Sequence, residues 1–500
     1  MSAGEQVKGS PARGRSALRS GAFTGLSYVM LSLAAAVAGA VLAHKFGRDR
    51  ETDGFMAAYG VYLVLVLGAQ AFRMVVVPDL TRAEAEGRLG AEFRAYTIAF
   101  LAVAVPATVL AAVFSEFFGE LVTGRLPLES AEVAGEALPW LIPAAFAQLI
   151  ASLAASALAA RDSYLPAAAA FALGGVGGLV FFVLAADEHG LVSLAWGLAL
   201  NGAICIGLPV AVLLLRGSRL RRHRGVPLRL GFRLWRLLYG AAVPLALQGL
   251  YVLALRFAAG TGEGNVTSLS YAYLLAGMFV SATAFSLSLI SAAPLTRRGV
   301  DAESAAIHVV HSAWVSLAFV GAAAGLVALV GGRIVTAALG DAYAGDVGEE
   351  LGRLVLYLSP WMVANAAFSI TYPLLFVMHR TRLLIPLALA AVIVSIPISI
   401  AGRALGGLTG VAIALGISTL LLVLGLMASL APRMLVLAVV GLVRLSLLVG
   451  AATALAFGGA SLLLSAVPAA AAGLALYALI LVAMRQLGLA EAWHYVRALH

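Results

Sequence analysis

The sequence predicts an all-α polytopic membrane protein with about fourteen transmembrane helices. Three observations carry this reading. Apolar stretches of spanning length recur fourteen times, basic residues gather in every second gap between them, and landmarks of the first two stretches return in the same order later in the chain. A bilayer core roughly 30 Å thick needs about 20 apolar residues per helix. Such stretches fall at about 21–45, 54–78, 95–115, 137–160, 164–186, 190–215, 237–259, 266–293, 306–331, 351–378, 383–402, 407–430, 434–457 and 462–484, here spans 1 to 14. Of the 500 residues 62% are hydrophobic and 11% charged, where soluble domains carry about 25% charge, so a soluble chain is excluded.

Charge in the gaps sets the orientation. The gaps of one parity hold Arg82, Arg88, Arg94, Arg161, the run from Arg216 to Arg236, Arg297, Arg298, Arg380, Arg382 and Arg433, and both termini are basic as well. The other parity holds Lys45, Arg48, Arg50, Arg125, Arg256, Arg333, Arg353 and Arg403 with most of the acids, including Glu116, Glu120, Glu129, Glu132, Glu136, Asp187 and Glu188. Basic loops stay cytoplasmic, so both termini are expected on the cytoplasmic side of the membrane. The net charge of +9 is concentrated in those gaps, which suits anionic headgroups better than nucleic acid. The basic start and apolar run of the first 45 residues have the order of a signal peptide. That run exceeds a signal h-region, and its far end recurs downstream, so it is read as span 1.

The recurrence defines the internal organisation. Ala43-His44-Lys45-Phe46, Tyr59 and Pro78-Asp79-Leu80-Thr81-Arg82 are echoed by Ala254-Leu255-Arg256-Phe257, Tyr271 and Pro294-Leu295-Thr296-Arg297. The expected plan is therefore a cytoplasmic tail at 1–20, a six-helix half at 21–215, a basic linker at 216–236, a second six-helix half at 237–430, two additional helices at 431–485 and a tail at 486–500. An even number of spans per half gives both copies the same orientation, about an axis along the membrane normal. Transporters built this way bind substrate between the halves and expose it alternately.

Several chemistries are not written in the chain. Cys205 is the lone cysteine and lies in an apolar stretch, so neither a disulfide framework nor a thiolate metal site is expected. His308 and His311 share a helical face without further ligands, which favours an interfacial role over metal. No phosphate-binding Gly-rich loop and no nucleophile elbow occurs, so no enzyme activity and no cofactor is expected. Gly174, Gly175, Gly177 and Gly178 contain a GxxxG spacing that suits close helix packing, and Pro106 and Pro244 fall inside spans 3 and 7 as potential kinks.

Thr52-Asp53-Gly54-Phe55 at the start of span 2, with Val77-Pro78-Asp79-Leu80 at its end, resembles the N-terminal pattern of the MurJ/MviN lipid II flippases of the multidrug, oligosaccharidyl-lipid and polysaccharide (MOP) exporter superfamily. Gly340-Asp341-Ala342-Tyr343 before a long helix from Leu351 is similar to a segment of the superfamily's polysaccharide flippases. The resemblance implies a twelve-plus-two helix plan and translocation of an undecaprenyl-diphosphate-linked sugar through a cationic cavity. Its partners would be that lipid-linked glycan, membrane lipids and envelope-synthesis glycosyltransferases or polymerases. Asp53 matches the family's aspartate. The arginines the family carries in span 1 are replaced near Ser32 and Ala38, and Tyr271-Ala272 continues as Tyr273-Leu274 where an acid-arginine pair is the pattern.

A diphosphate calls for fixed positive charge where water is scarce. Lys45 and Arg256, at equivalent points of the two halves, are the leading cavity candidates, with snorkelling to the interface as the plain alternative. Arg73, one turn inside the cytoplasmic end of span 2, and Arg444, well within span 13, are further cavity candidates; snorkelling also accounts for Arg73, and Arg444 suits a lipid-facing groove. Gln70, Gln148, Asn201, Gln248 and Asn365 are amides that could bind sugar hydroxyls or join helices. Asp53 suits the N-terminus of its own helix as a cap, or, paired with Lys45, Arg48 or Arg50, an outer gate. Two other functions stand beside the flippase. A cation-coupled drug exporter would be expected to carry intramembrane acids in spans 1 and 7, which have none. A non-transporting scaffold of envelope synthesis is compatible with the missing family arginines.

Overall fold

The computed structural model of the chain describes residues 34–35, 37–124, 126–161, 163, 165–215, 229–280, 301–378 and 382–484. These residues are helical almost throughout. The helices are α1 (Val37–Phe46), α2 (Arg50–Ala85), α3 (Leu89–Val113), α4 (Ser115–Thr123), α5 (Leu128–Ala159), α6 (Leu165–His189), α7 (Val192–Leu215) and α8 (Leu230–Ala258). They continue with α9 (Asn265–Val280), α10 (Ala302–Leu339), α11 (Asp346–Tyr357), α12 (Ser359–Val377), α13 (Leu384–Leu430), α14 (Pro432–Thr453) and α15 (Ala466–Ala483).

Each of the fourteen expected spans has a helical counterpart among the described residues. Nine helices are long and apolar enough to cross a membrane, or ten with the bent pair α11 and α12 taken as one. The remaining spans are accounted for by α1 and α9, each abutting residues outside those described, by the long α2, and by α13, which holds two. In α13 Gly406 and Gly407 leave helical backbone, the latter with φ 55°, so spans 11 and 12 form a hairpin. Its arms touch at glycines: a Cβ on Gly410 would lie 1.9 Å from the Gly402 carbonyl oxygen.

The long helix expected from Leu351 is broken at Leu358, where α11 and α12 meet at 42°, because Pro360 in the first turn of α12 has no N–H to continue the ladder. In the acidic gap between spans 3 and 4, Ser115–Thr123 forms α4, with Glu116 and Glu120 exposed and Gly119 and Thr123 buried.

Two compact units are present. One comprises Met1–Gly39, Gly68–Ser115 and Glu136–Leu238; the other comprises Ala40–Leu67, Glu116–Gly135 and Tyr239–His500. The second unit thus takes in α1 from Ala40, the start of α2, α4 from Glu116 and the start of α5.

The first unit is held by small-residue packing and buried ion pairs. A Cβ on Gly178 would lie 2.5 Å from the Gly197 carbonyl oxygen, and one on Gly174 would lie 2.6 Å from Asn201 Oδ1, so α6 and α7 meet backbone to backbone. On α8, Arg233 donates to both oxygens of Glu92 at 3.0 and 2.9 Å and lies 5.5 Å from the Tyr96 ring centroid, and the Tyr96 hydroxyl donates to Asp79 at 2.7 Å. Arg161 donates to Glu84 at 3.0 Å. These pairs account for acids of α2 and α3 that lie among the expected cytoplasmic arginines.

In the second unit α14 and α15 pack on α10 through glycine notches. A Cβ on Gly325 would come within 2.2 Å of the Phe457 ring, and one on Gly321 within 2.6 Å of the Tyr477 hydroxyl. Tyr477 donates to the Ala318 carbonyl at 2.8 Å. The π-turn at Ala454–Gly458 rotates Phe457 into its notch. His308, expected at an interface, is instead buried on α10 with Nδ1 3.4 Å from Ser312 Oγ.

Gly178→Leu should force α6 from α7 and lower the thermal midpoint in detergent by the equivalent of about 1–3 kcal/mol of overpacking. Gly450→Ala, where an added Cβ meets nothing within 4 Å, should leave the midpoint unchanged. Equal melting of wild type and Gly178→Leu would contradict this packing.

Candidate functional site: a polar latch at the outer end of the second unit

The densest polar constellation surrounds Asp53, a carboxylate with no exposed surface. It does not cap its own helix. That task falls to Asp49, whose Oδ1 accepts from the Thr52 N–H and hydroxyl, both at 2.8 Å. Asp53 instead caps α9: Oδ2 accepts from the Gly264 N–H at 2.6 Å, and Oδ1 accepts from the Thr267 N–H at 2.8 Å and the Thr267 hydroxyl at 2.7 Å. A buried carboxylate is tolerated when its lone pairs are filled and positive charge is near. Here the donors come from the positive end of a helix dipole.

The loop before α9 is Gly260-Thr261-Gly262-Glu263-Gly264, and arginines hold it at three points. Arg48 donates through Nε to the Gly264 carbonyl at 2.9 Å and through Nη2 to Asn265 Oδ1 at 2.6 Å. Arg50 donates to Glu263 at 3.1 Å and lies 3.5 Å from Glu129, and its backbone carbonyl accepts from Ser130 Oγ at 2.7 Å. Arg403, at the end of span 11, donates to the Gly260 carbonyl at 2.9 Å. Gly264 has φ +74°, and a Cβ there would lie 2.4 Å from the Arg48 side chain, so both the backbone turn and the arginine require glycine. A cavity of about 360 Å³ opens beside the loop, lined by Arg50, Leu126, Pro127, Glu263 and Arg403 among others.

Beneath this polar layer lies an aromatic one. Tyr59 stacks between Phe55 and Tyr62 along α2, with centroids at 6.3 and 5.4 Å. Tyr251 stacks on Tyr273 at 3.8 Å, and Tyr273 meets Trp361 at 4.6 Å. Gly60 lets α2 approach α8: a Cβ there would lie 2.9 Å from Leu255. Tyr343, from the Gly340-Asp341-Ala342-Tyr343 segment, packs edge-on to Tyr271 at 5.5 Å and donates to the Gly47 carbonyl at 3.2 Å.

The sequence candidates separate on this frame. Asp53, Arg48 and Arg50 come together in the latch. Lys45 and Arg256 are exposed at the ends of α1 and α8, and Arg256 donates to the Leu121 carbonyl at 3.3 Å. Of the amides, Gln148 and Asn201 are buried in helix packing, the second of the two readings, with Asn201 accepting from Cys205 Sγ at 3.1 Å. Polar residues in an apolar helix face are held there by neighbouring polar atoms. Gln248 accepts from the Tyr273 hydroxyl at 3.0 Å, Asn365 is half-buried on α12, and Arg444 is exposed on α14. The side chains of Gln70 and Arg73, on α2, fall outside the described residues. The sequence reading missed Gly264, Thr267, Asn265, Glu263 and Ser130. Only the glycine-rich spacing at 260–264 hinted at a special turn.

Neither a family model nor a curated protein matches the chain by sequence. Solved structures do match. A "lipid II flippase MurJ, inward closed conformation" aligns with TM-score 0.71 at 15% identity over 93% of this chain and 99% of its own. An inward-facing multidrug resistance MATE family transporter of the MOP superfamily aligns with TM-score 0.66 at 14% identity over 81% and 95%. A MOP superfamily transporter from Pyrococcus furiosus aligns with TM-score 0.59 at 15% identity over 84% and 94%. The chain is thus a multi-pass membrane protein with the MOP transporter fold.

Asp53→Ala should leave the Gly264 and Thr267 amides without their acceptor. Hydrogen exchange at these two amides should rise roughly 10- to 100-fold, the scale of about 1–3 kcal/mol for an unsatisfied buried donor, while α6 and α7 stay protected. Unchanged exchange at both sites would refute the cap.

Proposed function

We propose that the chain is a flippase that moves a polyprenyl-diphosphate-linked glycan precursor, lipid II or another envelope intermediate, across a bacterial plasma membrane by alternating access. The observation that carries this reading is the fold likeness to a lipid II flippase over 93% of this chain and 99% of that one. That likeness takes in helices beyond the twelve of the repeat. The latch supports it. The segment between spans 1 and 2 is bonded to the loop between spans 7 and 8 through Arg48, Arg50 and Asp53, and the segment between spans 3 and 4 is bonded to Arg50 and Arg256, which is what a closed outer exit requires. Opening would replace the bonds of Arg48, Arg50 and Asp53 with water. Lys45 and Arg256 then stand at the corresponding ends of spans 1 and 7, where a diphosphate leaving the membrane would meet them. The orientation is that of the charge pattern, with both termini cytoplasmic, and no catalytic step is part of the cycle.

Transport is tested with the full chain in vesicles containing a fluorescent polyprenyl-diphosphate glycan, scored by its accessibility to an external glycan-modifying enzyme. Wild type should equilibrate the lipid between leaflets, and the double variant Lys45→Gln, Arg256→Gln should slow it by roughly tenfold or more, the loss of a charge-assisted contact of about 1.5–3 kcal/mol. Normal flipping by that variant would remove these residues from the path, and absence of flipping by wild type would sink the substrate class.

Orientation has its own measurement. Ser130 is fully buried, so the informative positions are the exposed Glu132 and Asp187. Cysteines there should react with an impermeant thiol reagent outside intact cells, and a cysteine at Glu303, which is exposed beside Arg433, should not. The opposite pattern would invert the topology.

A further inference from the structure

Arg444 is the one intramembrane cation of the sequence whose side chain is both described and unexplained by the latch or by packing. It lies in the middle of the apolar stretch Pro432–Ser461, roughly 18 Å along the axis from Pro432 at about 1.5 Å per residue. The side chain is exposed and makes no hydrogen bond or ion pair with a described residue. Arg433, at the helix end, does have a partner, Glu303 at 3.5 Å. Either interface is about 15 Å from the bilayer midplane, more than an extended arginine can span by snorkelling. An unpaired guanidinium at that depth is costly, and residues of this kind face an interior or a partner.

The surroundings say what kind of partner. Leu437, Val440, Arg444, Leu447 and Ala451 recur at helical spacing along an exposed stripe, and Leu447 is 68% exposed. Only 22% of the most apolar part of this helix is buried. The stripe has the shape of a helix-packing ridge and offers no further polar group to a sugar or a glycerol headgroup. A second copy packed on this stripe would bring two guanidinium groups together in a low dielectric. Lipid phosphates lie at the interfaces, whereas a carboxylate carried by a transmembrane helix is already at the right depth.

We propose that α14 docks a different membrane protein, through a transmembrane helix that carries an aspartate or glutamate near its midpoint and pairs it with Arg444.

The probe is a synthetic leucine-rich helix of about 20 residues with one central aspartate, and its asparagine twin. Each is co-reconstituted with the full chain bearing a photoreactive group at Leu447, in phosphatidylcholine vesicles with and without phosphatidylglycerol. Adduct yield should favour the aspartate helix by roughly fivefold or more in both lipids. The preference should be lost in Arg444→Gln, kept in Arg444→Lys, and moved to a lysine-bearing helix in Arg444→Glu. A photoreactive group at Leu184, 76% exposed on α6, should show no preference. Equal yields from the two helices, a preference that survives Arg444→Gln, or a switch to lipid adducts when phosphatidylglycerol is present would each overturn the proposal, the last by assigning the site to a lipid phosphate.

Discussion

The constraint on which the second unit depends is the burial of one carboxylate. Taking Asp53 out of water costs several kcal/mol unless its lone pairs are filled and its charge is answered, and the donors are three groups at the first turn of α9. Meeting them fixes the distance and rotation of α2 against α9. Everything nearby must then comply: Gly264 takes a positive φ so that its N–H points at the carboxylate, Arg48 crosses the same turn, and Gly54 has no Cβ because the Ser130 carbonyl oxygen would lie 2.1 Å from it. The aromatic layer continues the contact inward, with Gly60 giving α8 room beside α2. The Thr-Asp-Gly-Phe sequence thus assigns one function to each residue: Thr52 to its own cap, Asp53 to the foreign cap, Gly54 to backbone clearance and Phe55 to the buried layer.

The fold was legible because membrane insertion is a property of composition. Spanning length and absent charge act locally, so fourteen stretches can be read without knowing their neighbours. The breaks were less legible. Gly406-Gly407 separated two stretches visibly, while Pro360 looked like one more apolar residue inside a continuous run. The latch was legible only in part. Asp53, Arg48 and Arg50 stood out as charges beside a span, but the partners of Asp53 lie 211 and 214 residues away. Local sequence favours the nearer answer, a helix capped by its own aspartate. The near answer exists, at Asp49, and it is what frees Asp53 for the distant one.

Intramembrane polarity proved to be spent in two different ways. In the first unit Gln148, Asn201 and Cys205 are absorbed where glycines bring α6 and α7 into backbone contact, and the buried polar atoms satisfy one another. In the second unit polar groups collect at one end, on loops and first turns, where backbone donors are unsatisfied by the helix itself. The first arrangement is permanent packing. The second is a set of hydrogen bonds each of which water could replace, the property a reversible closure needs.

That difference also bears on what drives such a fold. Solved structures of a flippase and of MATE family transporters both match it, the flippase over 93% of this chain and an inward-facing MATE family transporter over 81%. An exporter that binds protons or sodium needs a carboxylate inside the membrane with a lone pair to offer. Among the described residues Asp53 is the only fully buried carboxylate, and its oxygens already accept three hydrogen bonds with an arginine alongside. Those three bonds tie the start of α2 to the first turn of α9, so this carboxylate holds the latch together. Lys45 and Arg256 are exposed at the ends of α1 and α8, and so are the acids Asp49, Glu51 and Glu120. Charges of both signs are thus open to water there, while the one fully buried carboxylate among the described residues is committed to α9.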